Sequence, residues 1–166
     1  MVVFGTIYGI ISLSHAYYGE LITYVGMTVP MAVISLVSWM RNPYKGKKSE
    51  VRINRIKGSE LVFLFALSCV VSVAFYFILK VFGTASLLTS TLSVTTSFFA
   101  VCLTFRRSPL FALAYAANDV VLIVLWAFAS HDDLSCISVI VCFATFLVND
   151  LYSFFSWLKR QKAQKE

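Results

Sequence analysis

Long apolar runs dominate this chain. They occupy 21–40, 61–82, 87–105, 109–129 and 134–158, each with no more than one charged residue, and a shorter run fills 1–16. The hydrocarbon core of a bilayer takes about 20 apolar residues in a helix. In lipid, a helix satisfies every backbone polar group within its own segment, so runs of this length read as transmembrane helices. Only 13% of the 166 residues are charged, against about 25% in an ordinary soluble domain. Mean hydropathy is +0.81. The expectation is an all-α membrane protein of six transmembrane helices.

The links between the runs alternate in charge. Arg41, Lys45, Lys47, Lys48, Arg52, Arg55 and Lys57 fall between the second and third runs, against the single acid Glu50. Arg106 and Arg107 separate the fourth from the fifth, and Lys159, Arg160, Lys162 and Lys165 follow the sixth. The remaining links carry Glu20, Lys80 near Gly83, and His131 with Asp132 and Asp133. Basic links that all fall on one side are the pattern that fixes orientation, so the basic segments and both termini are expected in the cytoplasm. The net charge of +6 is therefore read as topology, and no nucleic-acid partner is expected. Trp39 and Trp157 stand at the cytoplasmic boundary, where interfacial aromatics anchor helices.

Two features of the chain ends and links qualify this picture. The run at 1–16 reaches only about 24 Å at 1.5 Å per residue, short of the roughly 30 Å core. That favours a chain truncated at its N-terminus, with an earlier helix missing. No cleavable signal peptide is visible, because Met1-Val2-Val3-Phe4 leads straight into the apolar run without a basic flank. The four cysteines, Cys69, Cys102, Cys136 and Cys142, match no zinc spacing and read as small buried hydrophobes. His131 receives no role. No phosphate-binding loop, dinucleotide fingerprint, metal motif or nucleophile elbow is present. An enzyme or ATP-driven pump is disfavoured, and no cofactor or metal is expected.

Polar residues at membrane depth point to function. Asp119 lies near the middle of the fifth run and Asp150 in the cytoplasmic half of the sixth, each preceded by an asparagine, Asn118 and Asn149. A carboxylate at bilayer centre costs on the order of 3 kcal/mol on insertion scales, so its presence argues for use. Tyr115, Asn118, Asp119 and Trp126 share one helical face. Ser138, Cys142, Thr145, Asn149, Tyr152 and Ser156 form a stripe on the sixth run, Tyr24, Thr28, Met31, Ser35 and Ser38 a fainter one on the second, and Ser86, Ser90, Ser93 and Ser97 another on the fourth. Small hydroxyls also serve as packing residues between membrane helices. Converging stripes with aromatic rings among them suit a planar polar solute. Pro30 is expected to kink the second helix. The endings Ser38-Trp39-Met40-Arg41 and Ser156-Trp157-Leu158-Lys159 hint at two parallel repeats.

The stretch from Tyr115-Ala116-Ala117-Asn118-Asp119 to Trp126 resembles the core helix of the PnuC family of vitamin and nucleoside transporters. Phe146-Leu147-Val148-Asn149-Asp150-Leu151-Tyr152 with Trp157 resembles its last helix, and Phe4-Gly5-Thr6-Ile7-Tyr8-Gly9 with Pro30-Met31 and Trp39 looks like its first half. The likeness covers nearly the whole chain. It implies a SWEET-like fold of two parallel three-helix repeats joined by a linker helix, here without the family's first helix. On that frame, 1–40 is a partial first repeat, 41–60 a basic cytoplasmic loop, 61–82 the linker, 83–158 the second repeat and 159–166 a basic cytoplasmic tail.

The resemblance further implies a homotrimer in the plasma (inner) membrane. It implies facilitated diffusion of nicotinamide riboside by alternating access, with a cytoplasmic kinase trapping the product for NAD biosynthesis. Carried over, Asn118, Trp126, Asn149 and Tyr152 would line the substrate site; with the two acids at membrane depth, Asp119 and Asp150, the expected site comprises six residues. Three positions depart from the family pattern: Ala114, where relatives often have Trp; Ala32, where they have Gln or Asn; and Tyr8, at the first-half position matching Asn118. Relatives carry deoxynucleosides, thiamine or riboflavin, so those substrates stay open. So do a proton-coupled carrier using Asp119 and Asp150, and a non-transporting membrane module.

Overall fold

The computed structural model describes residues 2–84, 86–131 and 133–164. Met1, Asp132 and Lys165, which enter the reading above, lie outside the described residues, as do the side chains of Lys47 and Lys48. The chain forms α1 (Val2–Ser14), α2 (Tyr18–Met40), α3 (Gly58–Phe82), α4 (Leu87–Phe105), α5 (Leu110–Ala129) and α6 (Ile137–Ala163), the last preceded by a single 3₁₀ turn at Leu134–Cys136. Five of these helices are long and apolar enough to cross a membrane, and α1 is a shorter apolar helix. Its 13 residues span about 20 Å. The expected six crossings thus resolve as five full-length helices and one short one.

Three boundaries differ from expectation. Helix α2 begins at Tyr18, so Glu20 sits inside its first turn rather than in a link. The segment expected as a basic loop contains a β-hairpin, β1 (Pro43–Tyr44) paired antiparallel with β2 (Lys47–Val51). Lys45 and Gly46 both adopt positive φ at its tip, the two-residue turn whose twist matches antiparallel strands. Helix α6 carries Lys159, Arg160 and Lys162 as its final turns. Gln164 then clasps the hairpin edge, accepting from the Ile53 amide at 2.9 Å and donating to the Val51 carbonyl at 3.0 Å. Close by, burial lowers the pKa of the Arg107 guanidinium, and Arg106 and Arg52 lower it further. Arg106 forms an ion pair with Glu60 at 2.5 Å.

Helix α2 changes its winding in the middle. Ile22–Thr28 is a π-helical segment, and regular α-helix resumes over Val29–Met40. Pro30 lacks the N–H that would bond the Gly26 carbonyl, and widened turns are one way a helix absorbs such a defect. The proline's effect therefore takes the form of a π segment just ahead of it.

Packing follows from small residues. Helix α4 touches α2, α3 and α5, while α6 packs chiefly along α5. Helix α3 buries Ser68 and Ser72, the Ser72 and Thr95 hydroxyls meet at 2.5 Å, and Phe65 meets Phe99 of α4 edge-on at 5.9 Å. Its other faces present Phe63, Val70 and Val81 outward, as a lipid-facing surface requires. Helix α1 approaches α2 through Gly5 and Gly9, four residues apart on one face. A Cβ at Gly9 would lie 2.5 Å from Val25 Cγ2, whereas one at Gly58 meets nothing within 4 Å.

Gly9→Val is accordingly expected to destabilise the bundle by about 1–3 kcal/mol through overpacking. Gly58→Ala should be near neutral, and thermal unfolding of the two detergent-solubilised variants measures the contrast.

Candidate functional site

A cavity of about 390 Å³ lies between α1, α2, α4, α5 and α6. That is within the range of small-molecule sites. It extends from Phe4, Tyr24 and Phe143 at mid-bundle to Trp39, Phe111 and Ser153 near the basic end. Seven aromatic rings wall it, including Tyr115 and Phe146. Its polar groups are Ser35, Thr104, Asn118, Asp119, Asn149, Asp150 and Ser153. Among the described residues, no lysine, arginine or histidine lines it.

Each lining residue owes its position to helical spacing. Tyr115, Asn118 and Asp119 share one face of α5. Phe143, Phe146, Asn149, Asp150 and Ser153 do the same on α6. Asn118 is 1% exposed and its amide is held in a fixed orientation. Its Oδ1 accepts from the Thr96 hydroxyl at 2.7 Å and the Ser97 hydroxyl at 2.9 Å, and its Nδ2 donates to the Tyr24 hydroxyl at 3.2 Å. One N–H of the amide remains available. The Asp119 Oδ2 is buried and has no hydrogen-bond partner.

Of the six residues expected at a site, the structure brings Asn118, Asp119, Asn149 and Asp150 to this cavity and leaves two outside it. Trp126 is fully buried, and its Nε1 donates to the Tyr8 hydroxyl at 2.7 Å. Tyr152 is 73% exposed on the outer face of α6, together with Ser138 and Thr145 of the stripe read from the sequence. Trp39 was expected to act mainly as an interface anchor. It instead lines the cavity, its Nε1 donating to the Thr104 carbonyl at 3.0 Å and its ring 5.2 Å from Trp157.

The end of the cavity away from the basic segments is closed by packed rings. Tyr8 stacks on Phe4 at 5.6 Å and meets Tyr24, Phe143 and Trp126 edge-on at 4.5–6.0 Å. Behind this layer lies Glu20, fully buried, accepting from Ser93 at 3.1 Å and from the Tyr8 hydroxyl at 3.5 Å. Sequence reading missed Glu20. The signal was present, since the α2 stripe of Tyr24, Thr28 and Ser35 extends back by one step of four to reach it. Beyond it, the corner between α1 and α2 meets the start of α6, where His15 faces Asp133 at 3.5 Å. The Ser135 amide holds the Asp133 carboxyl below its usual pKa.

A family model described as nicotinamide mononucleotide transporter matches residues 1–159. A solved structure described as the vitamin B3 transporter PnuC is similar in fold, with a TM-score of 0.82 at 19% identity; the match covers 98% of this chain and 71% of that one. No curated protein matches the chain.

Replacing Thr96 with Val and Ser97 with Ala together removes both donors to the buried Asn118 carbonyl. The expected loss is about 1–3 kcal/mol, the cost of an unsatisfied buried acceptor, read as a lowered thermal transition. Either change alone should cost less.

Proposed function

The chain belongs to the nicotinamide mononucleotide transporter family, and from that premise we propose that it passes nicotinamide riboside, the unphosphorylated form, through the cavity between α2, α5 and α6. The observation that carries this reading is the charge of the cavity: two carboxyls, seven aromatic rings and no basic side chain. Nicotinamide riboside is a flat pyridinium cation with a neutral ribose. Its ring suits an aromatic wall, where cation–π contact contributes about 0.5–2 kcal/mol. A cation 5 Å from a carboxylate gains about 3 kcal/mol at an effective dielectric near 20, and a phosphate there loses as much. The mononucleotide therefore fits this lining poorly.

Asn118 supplies a directed donor. With its oxygen saturated by Thr96 and Ser97 and one N–H engaged by Tyr24, its remaining N–H is oriented before a solute arrives. Pre-orientation of this kind lowers the ordering cost of binding. Asn149 and Asp150 face it from α6 and suit the ribose hydroxyls. Trp126 and Tyr152 act outside direct contact in this reading, Trp126 by bracing the ring layer that closes one end.

The conformation supports alternating access by facilitated diffusion. The cavity extends toward the basic end, taken as cytoplasmic, and the ring layer seals the opposite end. Entry from outside then requires that layer to part while the Trp39–Trp157 end closes. The meeting of Trp39 with Trp157 supports parallel repeats, with 1–40 as a partial first repeat, α3 as linker and 83–158 as the second. Location in the plasma membrane, cytoplasmic termini and a homotrimer belong to the same proposal.

Uptake of labelled nicotinamide riboside into liposomes tests it. Asp119→Asn and Asn118→Ala are each expected to reduce uptake at least tenfold. Excess unlabelled riboside should compete and the mononucleotide should not. Equal competition by the mononucleotide would refute the charge argument, and competition by thiamine, riboflavin or thymidine alone would reassign the solute.

A further inference from the structure

We infer that His15, Asp133 and Cys136 form a binding site for a divalent metal ion of the zinc class, at the end of the bundle opposite the cavity mouth. One ligand atom from each, a ring nitrogen of His15, a carboxylate oxygen of Asp133 and Cys136 Sγ, lie within 4.8 Å of one another. They come from chain segments far apart in sequence, the α1–α2 corner and the turn into α6. An imidazole, a thiolate and a carboxylate make a mixed N, S and O set, which suits zinc better than calcium or magnesium. Ligands about 2.0–2.3 Å from zinc are roughly 3–4 Å apart, so side-chain rotations of about 1 Å close the site, with water completing the tetrahedron.

The surrounding hydrogen bonds orient the ligand atoms. His15 Nδ1 lies 3.1 Å from the Ser14 hydroxyl and 3.2 Å from the Ile11 carbonyl; a carbonyl only accepts, so the Nδ1–H tautomer satisfies this contact and leaves the Nε2 lone pair outward. That is the arrangement typical of metal-bound histidine. Asp133 Oδ1 accepts from the Ser135 amide at 2.9 Å, which leaves Oδ2 to face His15 Nε2 at 3.5 Å. Two lone pairs so placed need a positive charge between them, either a proton or a metal ion. The corner carrying His15 is firmly set: Ala16 adopts a positive φ of 56°, and the Tyr17 amide bonds the Ser12 carbonyl at 2.9 Å. Cys136 is 1% exposed and packed in the ring layer, while His15 and Asp133 are 25% and 53% exposed. An ion can thus reach the site from water and find a thiol fixed beneath it.

The inference does not depend on which solute the chain carries. An ion bound here would tie the α1–α2 corner to the start of α6, across the layer that must part for alternating access.

The test titrates the purified chain in detergent with cobalt(II), whose bond to a thiolate gives a near-ultraviolet charge-transfer band. The expected result is one equivalent bound and displaced by zinc, with at least tenfold weaker binding in Asp133→Asn and His15→Ala and no band in Cys136→Ser. Cys69→Ser, which removes an exposed thiol elsewhere, should behave as the parent. Asp133→Asn alters an exposed side chain and guards against misfolding as an explanation. In the same sense, zinc should raise the melting temperature of the parent chain and not of Asp133→Asn. Absence of the band in the parent, its survival in Cys136→Ser, or parental affinity in Asp133→Asn would overturn the site and leave a histidine–aspartate ion pair beside a packed thiol.

Discussion

Lipid hydrates nothing, so a polar side chain in a membrane helix is stabilised by a partner inside the bundle. In this chain that pairing draws α2, α4 and α5 together around two connected clusters. In one, Glu20 is held by Ser93 and by Tyr8, which is held in turn by Trp126. In the other, Asn118 gathers Thr96, Ser97 and Tyr24. The two meet where the Tyr8 and Tyr24 rings touch at 4.5 Å. The serine face of α4 serves both, with Ser93 toward Glu20 and Ser97 toward Asn118. Apolar packing discriminates poorly between neighbouring helix registers when lipid is as apolar as leucine, whereas these bonds are directional and fix register.

The clusters also divide the interior by use. Around Asn118, which lines the cavity, the carbonyl accepts two hydrogen bonds and the amine donates one to Tyr24. Around Glu20 the ring layer separates the carboxyl from that cavity. The same side chains that hold the bundle together therefore also shape the cavity and the ring layer that closes one end of it.

The sequence made the architecture readable because membrane helices obey length and hydropathy. The five long helices fall at the expected runs, whereas the α4 serine stripe, read as one of the faces converging on a solute, buries Ser90, Ser93 and Ser97 in helix packing and not along the cavity. Asn118 and Asp119 do reach the cavity, since residues three and four apart share a helical face. What escaped was tertiary. Glu20 read as a link residue because a charge beside an apolar run marks an end, and only burial against α4 shows it to be interior. The α6 stripe faces outward at Ser138, Thr145 and Tyr152 because α6 packs chiefly along α5, and periodicity gives a face without saying which neighbour covers it. The hairpin at 43–51 depends on two positive-φ residues at Lys45 and Gly46, where only the glycine is an obvious turn former. His15 meets Asp133 and Cys136 only through the fold, so no local spacing could announce that cluster.

The chain has three tryptophans, and their placement has a spectroscopic consequence. Trp39 and Trp157 pack ring against ring at the mouth of the cavity, 5.2 Å apart, while Trp126 lies fully buried in the layer at the opposite end. Every indole of the chain therefore sits at one end of the cavity or the other. The tryptophan fluorescence of these 166 residues therefore comes from the two ends of the cavity, and its quenching and emission maximum report on them without an added label.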